Sequence, residues 1–422
     1  MKKLLVAALC CATSAVPAIA QAGHVHDANC NHQFSEHQGA LQVGGMNANA
    51  APMVVGSGGM KFVLNNLGGV EVGTDAFRGF TAAAEIFSKR FTDNITVRLD
   101  VRFAQLGPNI LGSTGSTTNT IAYAGLKTLL AADAKSVFDN AAVASLQSGA
   151  ALAFVSNEAG NCVTGVGCQA INRDSRTLDN DNTFDNLNIN INTAQVKALG
   201  LNPIYNAANN PNARDGSVSF STLFEWDFDR SDGITAGKID FVGVAAHEIG
   251  HALGFRSGVD LADGNVGAFN GLGAPGVPPA GRAGLDGIAW GTVHDLFRYK
   301  NFNGSQTLDW TIGGQACFSL NAGRNCQALL STGRNLGDGR QASHWKDDTL
   351  TNNLIGLMDP TASGPGGTRP FQDFTKFDLM AFDAMGYDAA VPEPATWAMM
   401  IGGFGFVGGA MRRRRRADVR FA

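Results

Sequence analysis

The chain has 422 residues, a formal charge of −4 and only 16% charged residues, against about 25% in an ordinary soluble domain. Setting aside the first twenty residues (Lys2, Lys3) and those beyond Pro394 (six Arg, one Asp) takes the charge to −11. An acidic chain with no basic patch in that portion excludes nucleic acid as a partner, and 53 glycines suit a loop-rich exported protein.

Residues 1–20 read as a secretory signal peptide: a Lys2-Lys3 start, an apolar run from Leu4 to Val16 and Ala18-Ile19-Ala20 as cleavage site. Residues 21–57 show no hydrophobic period and read as a His-rich flexible leader. Residues 58–388 are read as one domain with insertions, ordered from about Lys61. Phe77, Phe80, Ala84 and Phe87 have helical spacing within Ala76–Phe91, and Val97, Leu99, Val101 and Phe103 alternate as in a half-buried strand. Helices are expected between Tyr123 and Leu146. Strands are expected around Leu187, Ile189 and Ile191 and again over Val218–Phe228. The Gly/Pro-rich run at 271–284 reads as a loop and insertion edge, and Gln372–Met385 as a last helix.

Five cysteines remain after the signal peptide. Cys162 with Cys168 and Cys317 with Cys326 form local pairs that the exported context permits as disulfides, each stabilising by about 2–3 kcal/mol in the chain-entropy model. Cys30 is left over.

The most informative stretch is Ala245–Gly258, AAHEIGHALGFRSG. Phe241–Leu253 reads as a helix that Asp240 can cap and Gly254 can end. His247 and His251 stand four apart, so both imidazoles leave the same helix face and can share one zinc ion. Glu248 lies beside the first ligand, where it can serve as general base towards a water that zinc activates. A catalytic zinc needs a third protein ligand. Outside the leader the candidates are His294 and His344, with Asp260 as an oxygen alternative.

His247-Glu248 through Gly254 resembles the metzincin proteases, whose pattern is HExxHxxGxxH, although the last position here is Ser257. HALGF, a long insertion, Ser343-His344-Trp345 and then Leu357-Met358-Asp359-Pro360 resemble the leishmanolysin-type metzincins, in which a segment is inserted before the third histidine. The resemblance implies His344 as third ligand and Met358 in the tight turn beneath the metal, with His294 structural. It further implies an α+β zincin fold: a twisted mixed sheet, an active-site helix and a C-terminal helical subdomain, with a protein or peptide substrate bound along an edge strand. Cys30 then becomes a candidate latency ligand, as in the propeptides of matrixins and leishmanolysins.

Pro392-Glu393-Pro394, an apolar run from Ala395 to Met411 and Arg412–Arg416 follow in that order. At ~1.5 Å per residue the run is just long enough to span a bilayer, and the arginines would hold its end in the cytoplasm. The three parts resemble the PEP-CTERM sorting signal of Gram-negative bacteria. This implies an exosortase-type enzyme as partner, an inner-membrane anchor on the periplasmic side, and later the cell surface or extracellular matrix. Asp227, Asp229 and Asp232 hint at calcium, but the EF-hand loop needs glycine where Asp232 stands, and a solvated turn fits better. The rival to a secreted zinc endopeptidase is a non-catalytic surface or matrix protein with a structural zinc. Glu248 argues against it, because a purely structural site needs no base.

Overall fold

A computed structural model describes residues 53–157, 176–204, 213–268, 285, 287–362 and 373–390, with the backbone of four short strands at 19–20, 25–29, 162–163 and 167–168. In chain order the first elements are β1 (Ile19–Ala20), β2 (Val25–Asn29), β3 (Met53–Val55), β4 (Lys61–Gly68), α1 (Asp75–Ser88), β5 (Thr96–Ala104) and β6 (Gly112–Ala122). Then come α2 (Tyr123–Asp133), α3 (Val137–Ser145), β7 (Phe154–Asn157), β8 (Cys162–Val163), β9 (Gly167–Cys168), β10 (Arg176–Asp179), α4 (Phe184–Leu187), β11 (Asn188–Asn192) and α5 (Thr193–Ala198). The last group is β12 (Gly216–Ser221), β13 (Trp226–Asp227), β14 (Ile239–Asp240), α6 (Phe241–Ala252), α7 (Val259–Ala268), β15 (Arg298–Phe302), β16 (Ser305–Asp309), β17 (Ala316–Phe318), β18 (Ala328–Leu330), α8 (Asp348–Thr351) and α9 (Lys376–Ala384).

The first sheet is mixed, in the order β3-β4-β5-β12-β6. β4, β5 and β12 run parallel, and β6 closes antiparallel against β12. Alternation in β5 buries Val97, Leu99 and Val101, as period-2 spacing demands. α1 starts where the Thr74 hydroxyl accepts from the Phe77 N–H and turns Phe80, Ala84 and Phe87 inward. It packs on α6 at Gly79, where a side-chain carbon would lie 2.7 Å from the Phe241 ring. Phe241 is met by Phe220 at 4.6 Å and Phe228 at 4.7 Å between ring centroids, and Phe103 stacks on it at 5.8 Å. Each such ring contributes about 1.5–3 kcal/mol by burial. All twelve residues of α6 are buried, so this helix lies inside the protein rather than on its surface.

β12 occupies one edge of the first half of β6, and β11 continues along the same edge beyond it. The other edge carries two N-terminal segments, β1 and β2. Val25 pairs with Thr117 and so on to Asn29 with Ser113, antiparallel, and Ile19–Ala20 follow the same line at Ile121 and Thr120. Residues 21–57, expected to be flexible because they lack a hydrophobic period, thus contain a strand at Val25–Asn29. Backbone pairing along a strand needs no apolar pattern.

Residues after α6 depart from the expected helical subdomain. They form most of a second sheet, of six strands, β10-β7-β16-β15-β17-β18, and among the described residues contribute only short helices. β15 and β16 are joined at Asn303-Gly304, both with positive φ (50° and 84°), the conformation a two-residue hairpin requires. This signal lies in the sequence and marks strands there rather than helix. Its core stacks Phe154 on Trp310 at 3.9 Å. The Cys317–Cys326 disulfide ties β17 to the turn before β18, and β8 and β9 place Cys162 opposite Cys168.

The other differences are local. The expected strand Val218–Phe228 breaks after Ser221, because the Trp226 indole N–H turns back to the Ser221 carbonyl at 2.9 Å and Trp226–Asp227 pair instead with Ile239–Asp240. Leu187 ends a helix, and the strand beside it begins at Asn188. The loop at 271–284 and Cys30 lie outside the described residues, as does everything from Val391 onward. Among the described residues no helix is long and apolar enough to cross a membrane.

Candidate metal centre

α6 is set by its ends. The Asp240 carboxylate accepts from the Gly243 N–H at 3.0 Å, and Gly254 leaves the helix with φ 110°. A side-chain carbon at Gly254 would also strike Gln195 at 2.5 Å, so the position needs glycine for two reasons. Between these ends His247 and His251 project to one side, and the chain brings His344 to meet them. The three Nε2 atoms lie 3.0, 3.1 and 3.2 Å from one another. All three residues are buried, with exposures of 6, 2 and 2%.

The second nitrogen of each ring decides what this cluster can hold. Nδ1 of His247 faces the Leu357 carbonyl at 2.9 Å, that of His251 the Phe255 carbonyl at 2.8 Å and that of His344 the Gln341 carbonyl at 3.3 Å. A carbonyl only accepts, so each Nδ1 carries the proton and, in a neutral ring, each Nε2 presents a lone pair. Burial pushes His247 down to about 4, and burial together with the two neighbouring imidazoles lowers His251 well below its ordinary value, so both are neutral at pH 7. Lone pairs that converge without a donor repel, and a cation among them removes the repulsion. Three ligand nitrogens at ~2.0–2.1 Å from one tetrahedral zinc stand about 3.4 Å apart, close to the observed spacing.

Glu248 is 1% exposed and is held by β6. The Thr114 hydroxyl donates to its Oε2 at 2.5 Å, and a side-chain carbon at Gly112 would lie 2.4 Å from Oε1. Asn192 donates to the carbonyls of His251 and Ala252 at 3.2 and 2.9 Å, which ties the end of α6 to β11. Met358 is fully buried below the helix, and a side-chain carbon at Gly250 would approach its sulfur to 2.4 Å. The Leu357-Met358 turn is pinned by Asp378 of α9, which accepts from the Leu357 N–H at 2.9 Å and from the Trp345 indole at 2.8 Å. One carboxylate thus supports both the turn and the residue next to His344.

His294 and Asp260 stand outside the cluster. His294 packs at a tilt against Phe255, 4.2 Å between ring centroids, and near Trp345, and Asp260 accepts from the Ala342 and Ser343 N–H groups. Ser257 gives its hydroxyl to Asp295 at 2.6 Å. Asp227 and Asp229 spend their carboxylates on the turn itself, accepting from Thr235 and Ser231, and Asp227, Asp229 and Asp232 do not converge. Thr114, Gly112, Asn192 and Asp378 are supports that the sequence reading missed. No motif marks them, although Asp378 sits at the third position of a capping box opened by Thr375, a pattern visible in the sequence.

Residues 390–416 match the PEP-CTERM protein-sorting motif. The chain carries an exosortase sorting signal. That motif implies export, membrane-anchored sorting in a Gram-negative bacterium and processing by an exosortase-type enzyme. It covers the tail alone and leaves the chemistry of the described residues open. No curated protein and no solved structure matches the chain.

Proposed function

We propose that the protein is an exported zinc-dependent endopeptidase of metzincin type, with His247, His251 and His344 as zinc ligands and Glu248 as general base. The observation that carries this reading is the convergence of three Nε2 atoms, from His247 and His251 of α6 and from His344, whose rings all donate Nδ1–H to carbonyls, beside Glu248 of α6. Bound there, zinc supplies Lewis acidity that brings the ionisation of water near neutral pH. Glu248, oriented by Thr114, takes the proton of the attacking water and delivers it to the leaving amine. Met358 supplies an apolar floor and is not a ligand.

The outer edge of β6 passes over Glu248 and offers backbone groups to an extended peptide. β2 runs antiparallel along that edge and ends one residue before Cys30, which supports reading the leader as an occupant removed before turnover. The experiment is zinc analysis of the purified chain with a peptide-library assay, before and after leader removal and with a chelator. One zinc per chain and chelator-sensitive cleavage are expected. Bound zinc without cleavage of any substrate after leader removal would favour a structural metal instead.

A further inference from the structure

The contiguous pattern would place its third histidine at position 257, and this chain has serine there. What replaces that ligand is a turn around His344 held from α7. Asp260 Oδ1 accepts from the Ala342 N–H at 2.7 Å, and Oδ2 accepts from the Ser343 N–H at 2.9 Å and from the Ser343 hydroxyl. The Ser343 hydroxyl oxygen in turn accepts from the Ser257 N–H at 2.9 Å. Asp260 and Ser257 are 4 and 5% exposed, so these bonds form without competing water.

The Ala342 N–H and the Gln341 carbonyl belong to one planar peptide unit. No cis peptide bond occurs among the described residues, so the two groups point in opposite directions. Fixing the N–H on Asp260 therefore aims the Gln341 carbonyl away from Asp260. That carbonyl is the partner of His344 Nδ1 at 3.3 Å. The line runs carboxylate, peptide unit, imidazole, Nε2. The hydrogen bond from the Ala342 N–H to Asp260 polarises the peptide, strengthens the Gln341 carbonyl as acceptor and raises the electron density on Nε2, as a partner bonded directly to a ligand histidine does.

We propose that Asp260 is the positioning residue of the third ligand, acting on His344 through the Gln341–Ala342 peptide. It takes no part in coordination itself. This rests on the zinc reading above.

The test uses the full chain and compares Asp260→Asn with Asp263→Asn. Asp263 lies one turn along the same helix and also accepts from two backbone N–H groups, but those of Asn335 and Leu336 at 2.7 and 2.8 Å, outside the 341–344 turn. Zinc affinity is measured by competition with a chromophoric chelator, and the site geometry by the visible bands of the cobalt(II)-substituted protein. Asp260→Asn should weaken zinc binding about tenfold to a hundredfold and alter the cobalt spectrum, while Asp263→Asn should leave both as in wild type. Ser343→Ala, which removes one bond to Oδ2, should weaken zinc severalfold and carries the test should Asp260→Asn not fold. Affinity within twofold of wild type in folded Asp260→Asn, or equal loss in Asp263→Asn, would overturn the proposal and leave the zinc reading intact. A wild type that takes up no zinc would overturn both.

Discussion

Thr114 and Glu248 are 134 residues apart, and the Thr114 hydroxyl donates to Oε2 of Glu248 at 2.5 Å. The same hydroxyl oxygen lies 3.0 Å from the Glu248 carbonyl, so one strand residue meets both the side chain and the backbone of the candidate base. A hydrogen bond to a charged acceptor contributes about 1.5–3 kcal/mol. Thr114→Val, which keeps the shape, should therefore lower turnover about tenfold to a hundredfold with zinc content unchanged. Glu248→Ala should also keep its zinc and lose a hundredfold or more, roughly the contribution of a positioned base. Paired metal analysis and peptidase assay check both, and loss of zinc in either variant would mean that Glu248 belongs to the ligand set.

His294 and His344 are expected to behave in opposite ways. In the proposed site His344→Ala would leave two ligands where a catalytic zinc needs three, and should strip most of the metal and abolish activity. His294→Ala should leave zinc close to one per chain. It should lower thermal stability, because it removes a ring packed between Phe255 and Phe318. Metal content by mass spectrometry decides, and the reverse pattern would assign the ligand to His294.

Gly250 faces the sulfur of Met358, and an added carbon there would lie only 2.4 Å from it. In an exposed helix Gly→Ala stabilises by about 1 kcal/mol. Here the added methyl must displace a fully buried side chain, and overpacking costs about 1–3 kcal/mol. Gly250→Ala should thus lower the melting temperature, and a rise would show that the turn beneath α6 yields without cost.

Asp93 gives a pH dependence whose sign can be worked out. Burial first, and the nearby Asp388 carboxylate second, raise its pKa to about 7 from near 4. The folded state therefore holds a proton that the unfolded chain releases, and stability from this group is complete below about pH 4 and lost as pH rises through 7. Asp133 nearby is raised to about 6 for the same reasons and adds in the same direction. Asp93→Asn should flatten the fall in stability between pH 5 and 8 and make the protein more stable than wild type at pH 8. Denaturant melts at the two pH values measure it, and an unchanged pH profile would exclude Asp93 as the cause.

With its native export and sorting machinery, the protein should lose the segment beyond about Pro394. The order Pro392-Glu393-Pro394, apolar run, Arg412–Arg416 motivates this, and residues 390–416 match the sorting motif. Intact mass of released protein reads it out, and released chain that retains the arginine block would count against cleavage there.

Much of α6 was legible because helix periodicity is local. His247 and His251 share a face by their spacing of four, and Asp240 and Gly254 mark the ends by their own conformational preferences. The strand at Thr96 and the helix at Asp75 were readable for the same reason, since alternation and 3.6-residue spacing act between near neighbours. His344 was singled out by resemblance alone; nothing in the spacing of the residues between links it to His251. Its place was decided by tertiary packing: the Asp260 clamp, the Asp378 bond to Trp345 and the pairing of Trp345 with Met358, none of which a local spacing rule links. Gly112 and Thr114 carry no chemical signature of their own. They acquire a role only because the register of β6 against β12 sets them over Glu248, and register depends on contacts between strands a hundred residues apart.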